Sequence, residues 1–157
     1  MSLTMTANHE ILNELRGLNL AECLPHRLAV LSRLAQSLLA SELAQFGMSI
    51  SHWRIFLCLA KNGPSTVNGI ADFTKISQSA LSRAISKLDE RGFVCKTKNP
   101  EDRRLAAISI TEEGLRQLNL AIATITATWD SLLVERGVNK GAFLDTVNDI
   151  IVRLGGD

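Results

Sequence analysis

The stretch from Ser77 to Gly92 limits the fold of this chain more than any other. Leu81, Ala84, Ile85 and Leu88 recur at i, i+3, i+4 and i+7, which makes one apolar face of a helix. Gln78, Ser79, Ser82, Arg83, Ser86 and Lys87 fall on the other face. Ser77 is placed to cap the start, its hydroxyl accepting from a first-turn amide. Ile76 and Leu81 take the positions of a hydrophobic staple. Gly92 stops the helix, because glycine tolerates the left-handed turn past a helix end. No carboxylate occurs from Ser77 to Leu88. Hydroxyls, an amide, a guanidinium and an ammonium suit phosphate oxygens and base edges. The plain alternative is an amphipathic helix with a small-polar outer face.

The flanking residues decide between these readings. Val67, Ile70, Ala71 and Phe73 predict a short preceding helix, capped by Thr66 or Ser65 and joined to the first through Thr74-Lys75-Ile76. Two short helices around such a turn make a helix-turn-helix, whose second member normally enters the major groove. Downstream, Phe93 to Lys98 alternates, with Phe93, Cys95 and Thr97 on one face and Val94, Lys96 and Lys98 on the other. Leu105 to Ile110 alternates less cleanly. The intervening Asn99-Pro100 is a turn former, so a two-stranded ribbon with a charged tip is expected.

The rest of the chain reads as helices. One runs from Cys23 to Phe46, with Pro25 in its first turn and a buried stripe of Leu24, Leu28, Leu31, Ala35, Leu38 and Leu39. A second, capped by Ser49 or Ser51, runs to about Lys61 with Trp53, Phe56, Leu57 and Ala60 on its apolar face. Asn62-Gly63-Pro64 ends it. Thr111 caps a long helix with Glu112 and Glu113 in its first turn, where carboxylates suit the helix dipole. Leu115, Leu118, Ile122, Ile125, Trp129 and Leu132 give it a coiled-coil seam. A last helix carries Phe143, Leu144, Val147, Ile150, Ile151 and Leu154 on one side. That is more apolar surface than one small lobe covers, so the N- and C-terminal helices are expected to pack across a two-fold axis. The other arrangement is an intramolecular helical layer.

The net charge of +1 announces no polyanionic partner, but its distribution is uneven. From Lys61 to Arg104, nine Lys/Arg stand against five Asp/Glu, a local +4, while the remainder carries eight against eleven. A polyanion-facing middle follows. The three cysteines, Cys23, Cys58 and Cys95, form no CxxC pair and no disulfide framework. Cys58 and Cys95 fall in apolar patterns and read as core thiols. A reducing, cytoplasmic setting is expected. The N-terminus lacks the charged-then-apolar build of a signal peptide, and no run approaches the ~18 apolar residues of a membrane span. His9, His26 and His52 are scattered, which gives no metal site. No G-x-S-x-G, P-loop or Rossmann glycine pattern occurs, so neither an enzyme nor a bound cofactor is expected.

Asp102-Arg103-Arg104 followed by Ile110-Thr111-Glu112-Glu113-Gly114 resembles the wing signature of MarR-family regulators, a D-x-R followed by L-T-x-x-G. Ser82-Arg83-Ala84-Ile85-Ser86-Lys87-Leu88 and Arg91-Gly92-Phe93-Val94 are similar to that family's recognition helix and first wing strand. The departures are Ile110 in place of the commoner leucine and Leu105 in place of a small residue. The resemblance implies a mainly α fold with a small β wing. Residues 49–111 would form the winged helix-turn-helix lobe, and residues 8–46 and 112–154 a helical dimerisation layer. It implies a homodimeric, cytoplasmic transcriptional regulator, in most cases a repressor, on pseudo-palindromic double-stranded DNA. Ser77, Gln78, Ser79, Ser82 and Arg83 would lie in the major groove. Arg104 would reach the minor groove, steadied by Asp102, although Asp102 also reads as a turn residue capping its own loop. Lys87, Lys96, Lys98 and Arg103 would contact phosphates.

The family commonly binds small aromatic acids or phenols, for which His52, Trp53 and Arg54 are the candidates here. The competing reading makes Trp53 core, Arg54 an ion-pair partner and His52 exposed. One branch senses hydroperoxides through a cysteine on the first helix, near the place of Cys23. That branch also uses tyrosines, and this chain has none. The competing classes are a winged helix used for protein contacts, a thiol-based redox regulator and, more remotely, an enzyme.

Overall fold

The computed structural model describes residues 16–17, 19–98 and 106–156. The elements in chain order are α1 (Leu24–Ala44), α2 (Ile50–Asn62), β1 (Ser65–Thr66), α3 (Val67–Thr74), α4 (Gln78–Glu90), β2 (Val94–Lys98), β3 (Ala106–Ile110), α5 (Glu112–Glu135) and α6 (Lys140–Arg153). The protein is therefore mainly α-helical with a small β wing. The chain divides into two compact units, Met1–Leu38 and Leu39–Asp157.

In the first unit, the Asn19 side chain donates to Glu22 Oε1 at 2.7 Å and accepts from the Ala21 amide at 3.1 Å, just before α1. Cys23 is half-buried at the helix start. The buried stripe expected along α1 is not buried at its N-terminal end, where Leu24, Leu28 and Leu31 are 64%, 45% and 46% exposed. Periodicity identifies an apolar stripe but does not say what covers it.

The core lies in the second unit. Leu43, Ile55, Phe56, Ile70, Leu81, Leu88, Ile108 and Leu118 are its fully buried large side chains, flanked by half-buried Trp53, Val67, Ile76 and Trp129. The expected face of α2 is out of phase. Ile55, Phe56, Cys58 and Leu59 go inward, whereas Leu57 and Ala60 are exposed. In α3, Phe73 is exposed beneath the Lys61 ammonium, and Thr74 is buried in its place. The seam of α5 divides as well. Leu118, Ala121 and Ile125 are buried, while Leu115, Ile122 and Leu132 remain exposed. No residue of α6 is buried, and Lys140 at its start pairs with Asp130 of α5 at 2.6 Å.

The sheet has three strands in the order β1-β3-β2, not two. β2 pairs antiparallel with β3 from Val94↔Ile110 to Lys98↔Ala106. β1 adds Ser65↔Ile108 and Thr66↔Ala107. A two-residue strand leaves no periodic trace in the sequence. Phe93 does not belong to the alternation of β2. The Phe93 amide donates to Leu88 O at 2.9 Å and the Gly92 amide to Asp89 O at 2.8 Å, with Gly92 at φ +69. These two bonds make the Schellman ending of α4, which presses Phe93 against buried Leu88. Alternation then starts at Val94, so Cys95 faces outward and is exposed rather than core.

The same ending closes α1. Met48 donates to Leu43 O at 3.0 Å and Gly47 to Ala44 O at 2.9 Å, with Gly47 at φ +62. Arg91, at the C-terminus of α4, joins the two endings. Its guanidinium donates to Gly47 O at 2.6 Å and Phe46 O at 2.9 Å, and lies 4.3 Å from the Phe93 ring centroid. Gly47 is required by its left-handed φ, and a Cβ there would lie 3.3 Å from the Arg91 guanidinium.

Thr111 ties the wing to α5. Its hydroxyl accepts from the Gly114 amide at 3.0 Å and donates to Gly92 O at 2.6 Å, and its amide donates to Phe93 O at 3.0 Å. At the start of α2, Ser49 Oγ accepts from the His52 amide at 3.2 Å, and His52 Nδ1 accepts from the Ser49 amide at 3.3 Å. That reciprocal pair is a capping box with histidine in the place of Glu or Gln. It explains why His52 is buried and not exposed.

Two predictions follow from these contacts. A Cβ at Gly114 would lie 2.0 Å from Phe93 O, a backbone atom that cannot swing away. Gly114→Ala should cost about 2 kcal/mol or more. Gly69→Ala, in α3, would meet only Thr66 Oγ1 at 3.5 Å, and should gain about 0.5–1 kcal/mol. Urea midpoints at unchanged slope read both. The second concerns His52, whose pKa is lowered from 6.5 by burial and then by the charges of Arg91 and Lys87. The unfolded chain therefore takes a proton that the folded chain refuses. The stability this contributes is fully present above pH 6.5 and is lost as pH falls through the folded value. His52→Gln, which keeps a capping acceptor, should flatten that part of a stability–pH curve.

Candidate nucleic-acid interface

The helix-turn-helix is held together by small polar contacts. Thr66 Oγ1 accepts from the Gly69 amide at 3.1 Å and so caps α3. Buried Thr74 donates to Ile70 O at 2.7 Å and accepts from the Ile76 amide at 3.4 Å, which fixes the turn. Lys75 occupies the left-handed region at φ 55. Ser77 has the backbone conformation of an N-cap, and its carbonyl accepts from the Leu81 amide at 2.9 Å. Its hydroxyl makes no capping bond, contrary to expectation. Ile76 packs against the core beside fully buried Leu81, as a staple would.

In α4, Leu81, Ala84, Ile85 and Leu88 are buried. Ser77, Gln78, Ser79, Ser82, Arg83 and Lys87 are exposed together along the opposite side. Gln78 Nε2 donates to Asn68 Oδ1 at 3.3 Å, which links α4 to α3. Arg83 Nε donates to Ser79 O at 3.2 Å along its own helix. On the wing, Lys96 lies 3.4 Å from Asp89, with both side chains about half exposed. Such a surface pair is worth little and yields readily to a phosphate. Asp102, Arg103 and Arg104 lie outside the described residues, as does the Lys98 side chain.

Of the candidate effector contacts, Trp53 is half-buried against the core and Arg54 is exposed. His52 is brought instead beside α4. It lines an open groove of about 550 Å³ together with Arg83 and Lys87. Ser49 and Ser51 of the α2 start and Ser82 and Ser86 of α4 share this groove. Sequence reasoning did not connect Ser49 and Ser51 with α4. The Ser49–His52 capping spacing was the available signal, since it fixes where α2 starts. Among the described residues, no group of three or more His, Cys, Asp or Glu side chains is placed to hold a metal. No described helix is long and apolar enough to cross a membrane.

Residues 46–105 match the model of the MarR family. The chain is 26% identical over 119 residues to the HTH-type transcriptional regulator YwoH of Bacillus subtilis, covering 75% of this chain and 86% of that protein. It is 28% identical over 76 residues to the HTH-type transcriptional repressor IacR of Pseudomonas putida, covering 48% of this chain and 46% of that one. Among solved structures, a MarR-family transcriptional regulator from Rhodococcus sp. RHA1 matches with a TM-score of 0.71 at 20% identity, over 84% of this chain and 92% of that one. CouR from Rhodococcus jostii RHA1, bound to p-coumaroyl-CoA, matches with a TM-score of 0.69 at 20% identity over the same shares, 84% and 92%. At such identities the structural likeness speaks to fold. The helix-turn-helix built on α3 and α4 and the wing strand β2 lie in the segment that is similar to the MarR family, and the HTH-type regulators and solved structures above share that likeness.

Proposed function

We propose that the protein is a homodimeric repressor that binds a pseudo-palindromic operator and releases it when a small aromatic or phenolic effector binds. The observation that carries this reading is the outer side of α4. It is exposed, carries no carboxylate from Ser77 to Leu88, and follows a helix-turn-helix turn. In this reading Ser77, Gln78, Ser79, Ser82 and Arg83 enter the major groove. Lys87, Lys96, Lys98 and Arg103 hold phosphates, and Arg104 enters the minor groove with Asp102 as its support. Residues 49–111 form the reading lobe.

Residues 8–46 and 112–154 form the dimer layer. The exposed Leu115, Ile122 and Leu132 of α5 and Phe143, Leu144, Ile150 and Ile151 of α6 support a second copy as their cover. Regulation by a small molecule is supported by two fold relatives. One is CouR with its p-coumaroyl-CoA, and the other is BpsR of Bordetella bronchiseptica, whose DNA binding is regulated by 6-hydroxynicotinic acid. The effector would act by favouring a spacing of the two α4 helices that DNA does not match. A cytoplasmic location and the absence of catalysis accord with a transcriptional regulator. The uneven charge of residues 61–104 speaks against a winged helix that contacts only proteins.

Selection from a random DNA pool tests the reading. An enriched inverted repeat with half-site centres about one helical turn apart is the expected result. Weak, salt-sensitive binding without enrichment would overturn it. Arg83→Ala should cost about 1–3 kcal/mol per half-site and relax the preference at one base position. Arg83→Ala with Arg104→Ala should lose operator binding while sedimenting as a dimer.

A further inference from the structure

The groove between the start of α2 and the outer side of α4 has a composition that reading sequence does not require. Arg83 and Lys87 supply two cations, and Glu90 is its one carboxylate. The half-buried Ser51 and Ser86 hydroxyls line it, and neither has a hydrogen-bond partner among the described residues. His52 is buried and lines the groove, and its Nδ1 is already an acceptor for the Ser49 amide. The neutral ring therefore carries its proton on Nε2 and offers a donor. No acid stands in the first turn of α2, so that helix end is positive and uncountered. Each of these groups gives a hydrogen bond or a positive potential, and only Glu90 opposes them. The groove is open rather than enclosed, which suits one link of a continuous chain.

We propose that this groove is a phosphate pocket in which Lys87, the Ser51 and Ser86 hydroxyls and His52 hold a phosphate oxyanion. The source the shape favours is a DNA backbone phosphate flanking the base-reading contacts of Ser79 and Arg83. That source rests on the DNA-binding reading above. Free inorganic phosphate shares the same chemistry and does not depend on that reading. The pocket links phosphate occupancy to the charge of His52. An anion beside the ring favours its protonated form and opposes the lowering by burial, Arg91 and Lys87.

The test follows the His52 imidazole by NMR against pH, its signals assigned by their loss in His52→Gln. The protein is titrated in chloride buffer, with inorganic phosphate at matched ionic strength, and with a mixed-sequence duplex. Occupancy by a backbone phosphate raises the His52 pKa with the duplex and not with inorganic phosphate. A rise with millimolar phosphate alone, lost in Lys87→Gln, assigns the pocket to the free ion. Ser51→Ala separates contact from field. It changes no charge, so a long-range effect of DNA survives it, whereas a direct contact weakens duplex affinity about three- to tenfold. Lys87→Gln should lower the slope of log affinity against log salt by about one.

The proposal is overturned if the duplex binds while Ser51→Ala leaves both its affinity and the His52 titration unchanged and phosphate has no effect. If the parent binds no duplex, the DNA reading fails separately and the inorganic-phosphate arm decides the pocket. A rise in the His52 pKa then supports it and no change refutes it.

Discussion

The interaction on which the lobe depends is the knot at Thr111. One hydroxyl caps α5 by accepting from Gly114 and holds the end of α4 by donating to Gly92 O. The Thr111 amide takes the neighbouring Phe93 carbonyl. A helix start, a helix end and both wing strands therefore meet within a few ångströms. Gly114 is the spatial condition for this meeting, since its Cα faces the Phe93 carbonyl where a Cβ would not fit. A capping hydroxyl alone is worth about 1 kcal/mol. Here its removal also frees Gly92 O, so the cost of loss exceeds that of an ordinary cap.

From that knot the position of α4 is set at its C-terminal end and transmitted to α1. Arg91 gives two charge-assisted bonds to Phe46 O and Gly47 O, in the turn that ends α1. Phe93, held by the Schellman ending, stacks under Arg91 and meets Phe56 of α2 at a centroid distance of 6.3 Å. The N-terminal half of α4 is held by fully buried Leu81, by Ile76 packed on the core and by the Gln78–Asn68 contact. The helix is thus anchored along one buried face, opposite its polar side.

Most of the helical frame was legible because it rests on local rules. The apolar repeat and glycine stop of α4, the Thr111 cap and the Ser49 start of α2 are decided within a few residues. What was misread depends on partners distant in sequence. Leu57 and Phe73 are apolar and at helical spacing, yet they face out because the interior at those points is filled by Cys58 and Thr74. Cys95 falls in an apolar alternation only if Phe93 begins the strand, and the helix ending claims Phe93 instead. β1 is two residues whose partner lies some forty positions away. The site was legible as a list of polar residues on one helix side. That His52 joins them follows from where α2 starts relative to α4, which no single segment encodes.

The distribution of acids carries the electrostatic argument further. Among the described helices, α5 alone has carboxylates in its first turn, Glu112 and Glu113. Glu113 is held ionised, its pKa lowered to about 2 by hydrogen bonds from Arg116 and Gln117. An acid at a helix start is worth roughly 0.3–1 kcal/mol, and α2, α3 and α4 all forgo it. They are capped by neutral hydroxyls or, at Ser77, by no side chain at all. A carboxylate at any of those three ends would steady its helix and repel a phosphate. Leaving them uncountered sacrifices local stability in the lobe that carries the polar side of α4, while α5 takes the ordinary stabilising choice. α1 and α6 also begin without an acid, so the feature particular to α4 is the absence of any carboxylate along its polar side from Ser77 to Leu88.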